Sequence, residues 1–195
     1  MLPRLSELFG KQRLPSGYRP GATLEQVRRN LAGLSFEALD GSARGRFGVP
    51  GCELEFEVVE RTQSELLMHL VLTDFVLHVP APAAAVLRVE LRHSGALTRS
   101  GLACKRRQGD AAELAALERC LLGDEALHRV LMPLDFKRLS IERQAAGWQV
   151  RLEHMAASEV VNRMPNFRRY IRLNDEQRDC LINAFIILQR LLRTC

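Results

Sequence analysis

Residues 174–195 constrain the rest of the chain most. Asn174, followed three residues later by Gln177, has the form of a capping box. Asp175, Glu176 and Asp179 stand at the positive end of the helix that this box opens, and Arg190 and Arg193 at its negative end. Leu181, Phe185, Leu188 and Leu192 then form one stripe, and Cys180, Ala184, Ile187 and Leu191 the next. Together they make an apolar arc of roughly 160°, wider than the roughly 100° that a surface helix requires. A helix this apolar must be covered, so the rest of the chain has to supply a broad apolar surface. Ile182 and Ile186 fall outside the arc, beside Asn183, Arg190 and Arg193. Two readings stand: the isoleucines lie under a loop while the helix crosses a sheet, or they meet a second subunit and the chain self-associates through this helix.

Strands supply that surface. In 52–61, Leu54, Phe56 and Val58 alternate with Glu53, Glu55 and Glu57, the pattern of a half-buried antiparallel strand. Residues 66–79 are apolar on both faces, which places them centrally in a sheet, and Pro80 and Pro82 end the run. Leu87, Val89 and Leu91 alternate with Arg88, Glu90 and Arg92. Residues 136–143 and 148–154 read as a hairpin turning at 145–147, with Trp148, Val150 and Leu152 inward. Shorter strands are expected around 43–49 and over 168–173, a loop over 155–167, and a basic linker over 94–109. Capping boxes Thr23/Gln26 and Asp110/Glu113 open two more helices, and Asp124 caps a fourth that Pro133 ends. Strands in two groups around a helical insert predict an α+β fold: a single domain over 22–195, its largely antiparallel sheet packed by helices and closed by the long C-terminal helix. Residues 1–21, with three prolines and three glycines, read as an irregular N-terminal arm that Leu2, Leu5, Leu8 and Phe9 could pin down.

The chain lacks 18 consecutive apolar residues, so no transmembrane segment is expected, and its N-terminus does not have the form of a secretory signal. The five cysteines are odd in number, widely spaced and never arranged as CxxC, which suits a reduced, cytoplasmic setting. Arginine outnumbers lysine 25 to 3, as a GC-rich bacterial genome would produce. The net charge of +5 is unevenly placed: residues 1–35, 96–109 and 160–195 each carry +4, and the segments between them are acidic. A nucleic-acid binder more often concentrates such charge on one surface, and the sequence leaves open whether the three blocks converge, so nucleic acid is the less expected partner.

No catalytic constellation stands out. Glu125/His128 and Glu90/His93 have the Glu-x-x-His form of half a di-iron site. On an alternating strand, however, Glu90 and His93 face opposite ways. No metal site and no cofactor are expected. Asp74 and His78 share a face of the long apolar strand, about 13 Å apart. A basic partner for Asp74 is expected rather than a catalytic role. The densest basic and aromatic cluster is 163–172, where Arg163, Arg168, Tyr170 and Arg172 could hold an anionic ligand, because arginine grips carboxylate or phosphate in a fork. The competing reading is that these arginines answer Glu53, Glu55 and Glu57 across strands.

The segments GWQVRLEH, SEVVNRMP and RRYIRL, followed by a capped apolar helix, resemble an uncharacterised bacterial family of unknown function. That resemblance covers about the C-terminal third and implies a bacterial cytoplasmic protein of this size and class, with no activity attached. The reading that follows is a non-enzymatic binding or interaction protein, whose partner is a protein or a small anionic or apolar ligand. The alternatives are an enzyme assembled from Asp74, His78 and the arginines of 163–172, and binding of nucleic acid or an anionic surface through the basic blocks.

Overall fold

Nine antiparallel strands share one sheet in this computed structural model, which describes residues 18–41, 43–64, 68–95, 99–163 and 166–194. In chain order the elements are α1 (Ala22–Asn30), β1 (Ser35–Ala38), β2 (Arg44–Gly48), β3 (Glu55–Ser64), β4 (Met68–Val79), β5 (Leu87–Ser94), β6 (Gly101–Gln108), α2 (Ala111–Gly123), α3 (Glu125–Leu131), β7 (Phe136–Gln144), β8 (Gly147–Arg163), β9 (Asn166–Ile171) and α4 (Asp175–Thr194). The strand order is β1-β2-β3-β4-β8-β7-β5-β6, with β9 added to β8. This is the α+β architecture expected, with β4 central and a long C-terminal helix.

The two faces of the sheet differ completely. Leu54 just before β3, Phe56 and Val58 of β3, Phe75 and Leu77 of β4, Val89 and Leu91 of β5, Leu139 and Ile141 of β7, and Val150 and Leu152 of β8 join the buried side chains of all four helices in one core. α4 crosses this face. Its N-terminal box closes in both directions, Gln177 N–H donating to Asn174 Oδ1 at 2.7 Å and Asn174 N–H to Gln177 Oε1 at 3.2 Å. Phe185 meets Phe56 edge-on at 5.4 Å between centroids, and Phe56 stacks on Phe47 at 5.8 Å. Each such buried side chain contributes about 1.5–3 kcal/mol. Among the described residues no helix packs on the other face, which carries arginines and carboxylates.

Several expectations are corrected. The basic stretch read as a linker contains β6, a strand at the edge of the sheet. Its charges are what an edge strand uses to discourage further pairing. Likewise, β8 does not end at His154 but continues to Arg163, through a bulge in which residues 155–158 stand opposite the single residue Leu72. Ala157 adopts φ 65°, and its carbonyl accepts from Thr73 Oγ1 at 2.8 Å. The small residues Ala156 and Ala157 let this backbone fold into the core, and they hide the strand from a period-of-two reading. Before the bulge β8 pairs with β7, and after it with β9. β9 begins at Asn166, inside the stretch read as a loop, and ends at Ile171, short of Leu173. The hairpin of β7 and β8 forms as expected. Gly147 turns it at φ +126°, where a Cβ would stand 2.4 Å from the Val79 carbonyl oxygen. Cys52, Cys104 and Cys180 are free thiols, and Cys120 is disulfide-bonded. Most of the expected N-terminal arm, residues 1–17, lies outside the described residues.

His154 seals the bulge. Its Nε2 accepts the Asp135 N–H at 3.1 Å, so Nδ1 carries the proton and faces the Ala156 carbonyl at 3.3 Å. Burial pushes its pKa down to about 4, from near 6.5 in an unfolded chain. Above pH 6.5 both states hold a neutral ring. As the pH falls from 6.5 to 4 only the unfolded state takes up the proton, so stability is lost across that window, up to about 3 kcal/mol. Urea unfolding of the wild type is expected to show this loss, and His154→Gln should flatten most of the slope. A wild-type stability level between pH 6.5 and 4 would refute the assignment.

Candidate functional site

α1 lies against β8 and β3, and its attachment begins with a charge. Gly21 occupies the N-cap position at φ 88° and provides no side-chain cap. Glu60 of β3 does that work. Its Oε2 accepts from the Gly21 N–H at 3.0 Å and the Tyr18 O–H at 2.9 Å, and its Oε1 accepts from the Leu24 N–H at 2.7 Å. The buried carboxylate thus sits at the positive end of the helix. The expected Thr23/Gln26 box does not form: Thr23 Oγ1 donates to Glu159 Oε2 at 3.2 Å instead. A carboxylate outcompetes a hydroxyl as acceptor for exposed helix amides.

Glu159 of β8 is the second buried carboxylate here. Arg168 of β9 grips it in a fork, Nη2 to Oε2 at 2.7 Å and Nε to Oε1. These hydrogen bonds raise the Arg168 pKa further, against the opposing effect of burial. Tyr170 points the same way along β9. Its hydroxyl donates to Asn30 Oδ1 at 2.8 Å, and the same oxygen accepts the Leu173 N–H at 3.2 Å. Burial pushes the Tyr170 phenol above its usual value. Together with Arg19, Thr23 and Gln26, the side chains of Glu159, Arg168 and Tyr170 line a groove of about 510 Å³.

The structure therefore brings together two of the four residues singled out in 163–172. Arg172 is exposed beyond the end of β9, and the side chain of Arg163 lies outside the described ones. The cross-strand alternative is corrected too: Glu57 is answered by Arg44 and Arg46, and Arg168 by Glu159. Ile182 and Ile186 are partly buried and pack against the core from α4. Asp74 has the basic partners expected of it, Arg151 at 2.9 Å and Arg61 at 3.6 Å, while His78 is exposed. Asp74 lies on the open face and Arg168 on the helical face, so an active site joining them does not form. Glu90 and His93 also face opposite ways, Glu90 towards Arg92 and Arg107, His93 onto Phe136 and the Leu131 carbonyl. Of the three basic segments, the first and last meet at the groove through Arg19, just before α1, and Arg168 of β9, but the middle one forms β6 at the far edge of the sheet.

Sequence reasoning missed Glu60 and Glu159. For Glu60 a signal existed, since the apolar run Leu54, Phe56, Val58 continues at the next inward position with a carboxylate. Glu159 gave none, because the bulge resets the alternation just before it.

An open-faced antiparallel sheet, with helices on one side and a polar groove at the end of its longest strand, defines an α+β protein without a described metal cluster. The chain belongs to the family described as protein of unknown function (DUF3156), whose match covers residues 29–192 and so reaches well beyond the C-terminal third. No curated protein and no solved structure matches it. Among the described residues no helix is long and apolar enough to cross a membrane.

Glu60→Ala is expected to lower stability by about 2 kcal/mol, because it orphans two helix amides and the Tyr18 hydroxyl. Glu60→Gln keeps one acceptor oxygen and should cost less than half of that. Urea titration gives both numbers, and equal losses in the two variants would contradict the capping role.

Proposed function

We propose that the chain is a binding protein whose ligand site is the groove between α1 and β9, and that its ligand is a small carboxylate or phosphate. One observation carries this reading: Arg168 is fixed by a buried carboxylate in the wall of a groove of about 510 Å³ that the exposed Arg19 also lines. Held by Glu159 through Nε and Nη2, the guanidinium keeps its positive charge at a fixed place in the groove wall, so an anion there meets it without the entropy loss of ordering a mobile side chain. Arg19 and Gln26 add donors, and Arg19 positive charge, at the rim. Glu159 is the acidic counterweight in the lining, and it favours a ligand that also bears a hydroxyl or ammonium donor.

The same reading takes the protein to be bacterial, on the strength of its arginine excess. A cytoplasmic site rests on the three free thiols, and the disulfide at Cys120 weighs against it. Self-association through Ile182 and Ile186 has less behind it, since both side chains already pack within the fold.

Thermal unfolding with added orthophosphate or succinate tests the site. At a hundredfold excess over Kd a ligand stabilises the fold by about 2.7 kcal/mol, a rise in Tm of roughly 5 °C or more for a chain of this length. Arg19→Gln, which removes an exposed side chain and no buried partner, should abolish the shift while leaving the ligand-free Tm unchanged. Absence of any shift with both anions up to millimolar concentration would refute the reading.

A further inference from the structure

On the face away from the helices, charge is layered: carboxylates below, cations above. Glu57, Asp74, Glu90 and Glu153 project from this face with side chains between 3% and 11% exposed. The cations over them are between 32% and 58% exposed. Arg44 and Arg46 hold Glu57, Arg61 and Arg151 hold Asp74, and Arg92 and Arg107 hold Glu90. Glu153 takes Lys137, Arg138 and again Arg61. The distances run from 2.5 to 3.8 Å. Eight cations thus answer four buried carboxylates. Arg46 also holds the exposed Glu37 at 3.1 Å, so the eight cations face five carboxylates and the face keeps a positive surplus. The surplus faces outward on guanidiniums whose positions are fixed and whose donors are only partly used. Arg88, on the same face, is paired through Nε with Glu142 at 3.9 Å.

This field ends in an apolar corner. Where β4, β8 and β9 run side by side, the register aligns Met68, Asn162 and Phe167 in one row and Leu70, Val160 and Arg169 in the next. Met68 and Phe167 are exposed, and Leu70 and Val160 are half-buried outside the helical core. Arginine, methionine and phenylalanine together are the composition of protein interfaces. Eight strands at about 4.8 Å spacing make the face roughly 34 Å wide, room for the roughly 800 Å² per partner of a stable complex. Single-stranded nucleic acid would need aromatic platforms among the arginines, and the exposed aromatic here is Phe167, at the corner. A bilayer would draw apolar side chains from across the whole contact plane.

We infer that this open face docks an acidic protein, with Met68 and Phe167 as its apolar anchor and the surplus arginines receiving carboxylates. The inference is independent of the groove, which lies on the other face.

The test uses the full chain at low ionic strength, with a glutamate–tyrosine copolymer as acidic polypeptide, polyglutamate, phosphatidylserine vesicles and a single-stranded oligonucleotide as probes. The copolymer should bind best, and added salt should weaken it. Arg92→Gln with Arg138→Gln leaves Arg107 on Glu90 and Arg61 on Glu153, so the fold survives, and should weaken the copolymer about tenfold. Arg29→Gln with Arg193→Gln removes the same charge elsewhere and should leave affinity unchanged. Phe167→Ser should erase the preference for the copolymer over polyglutamate. Failure to bind the copolymer, equal losses in the two double variants, or tighter binding to vesicles or oligonucleotide would each overturn the inference.

Discussion

The ladder between β4 and β8 is the contact on which everything else depends. β4 carries β3 and, through it, β2 and β1. β8 carries β7, β5 and β6 along its first half and β9 along its second. A strand can hold only two neighbours at any point, so three partners require β8 to be long and to bend. Residues 155–158 supply the bend, and Thr73, Ser158 and His154 satisfy the backbone groups that the interrupted ladder leaves open. Both candidate surfaces are products of this geometry. The groove exists because β9 leaves room for α1 to lie beside β8, and the apolar corner because β4, β8 and β9 run together past the bulge.

The sheet then divides its chemistry by face. One side is dry, closed by α4 and the aromatic stack of Phe47, Phe56 and Phe185. The other keeps Leu72 and Val76 out of water although no described helix covers them, as long arginine side chains can do with their aliphatic stems. The carboxylates beneath are shielded in the same way. Charge on this face is therefore a structural layer as well as a surface.

Much of this was legible in the sequence, for identifiable reasons. α4 announces itself because its capping box and its wide apolar arc are both local. β3, β4, β5 and the β7–β8 hairpin follow from alternation or from a doubly apolar run. What escaped is non-local. α1 is capped by a residue 36 positions away, β6 hides its strand character under edge charges, and the second half of β8 follows a bulge that resets the period. The candidate ligand residues were half legible: Arg168 and Tyr170 stand out as a basic–aromatic pair, whereas their partners Glu159, Thr23 and Arg19 are joined to them only by the path of the chain.

The absence of a local cap on α1 has a consequence for the order of assembly. A helix of nine residues is marginal by itself, and this one borrows the acceptor for its first turn from β3. It can persist only once Glu60 is in place, so α1 belongs to the last part of the molecule to consolidate and the first to fray. Because α1 forms one wall of the groove, the groove opens and closes with that fraying, and whatever occupies it acts as a clasp on the N-terminal end of the fold.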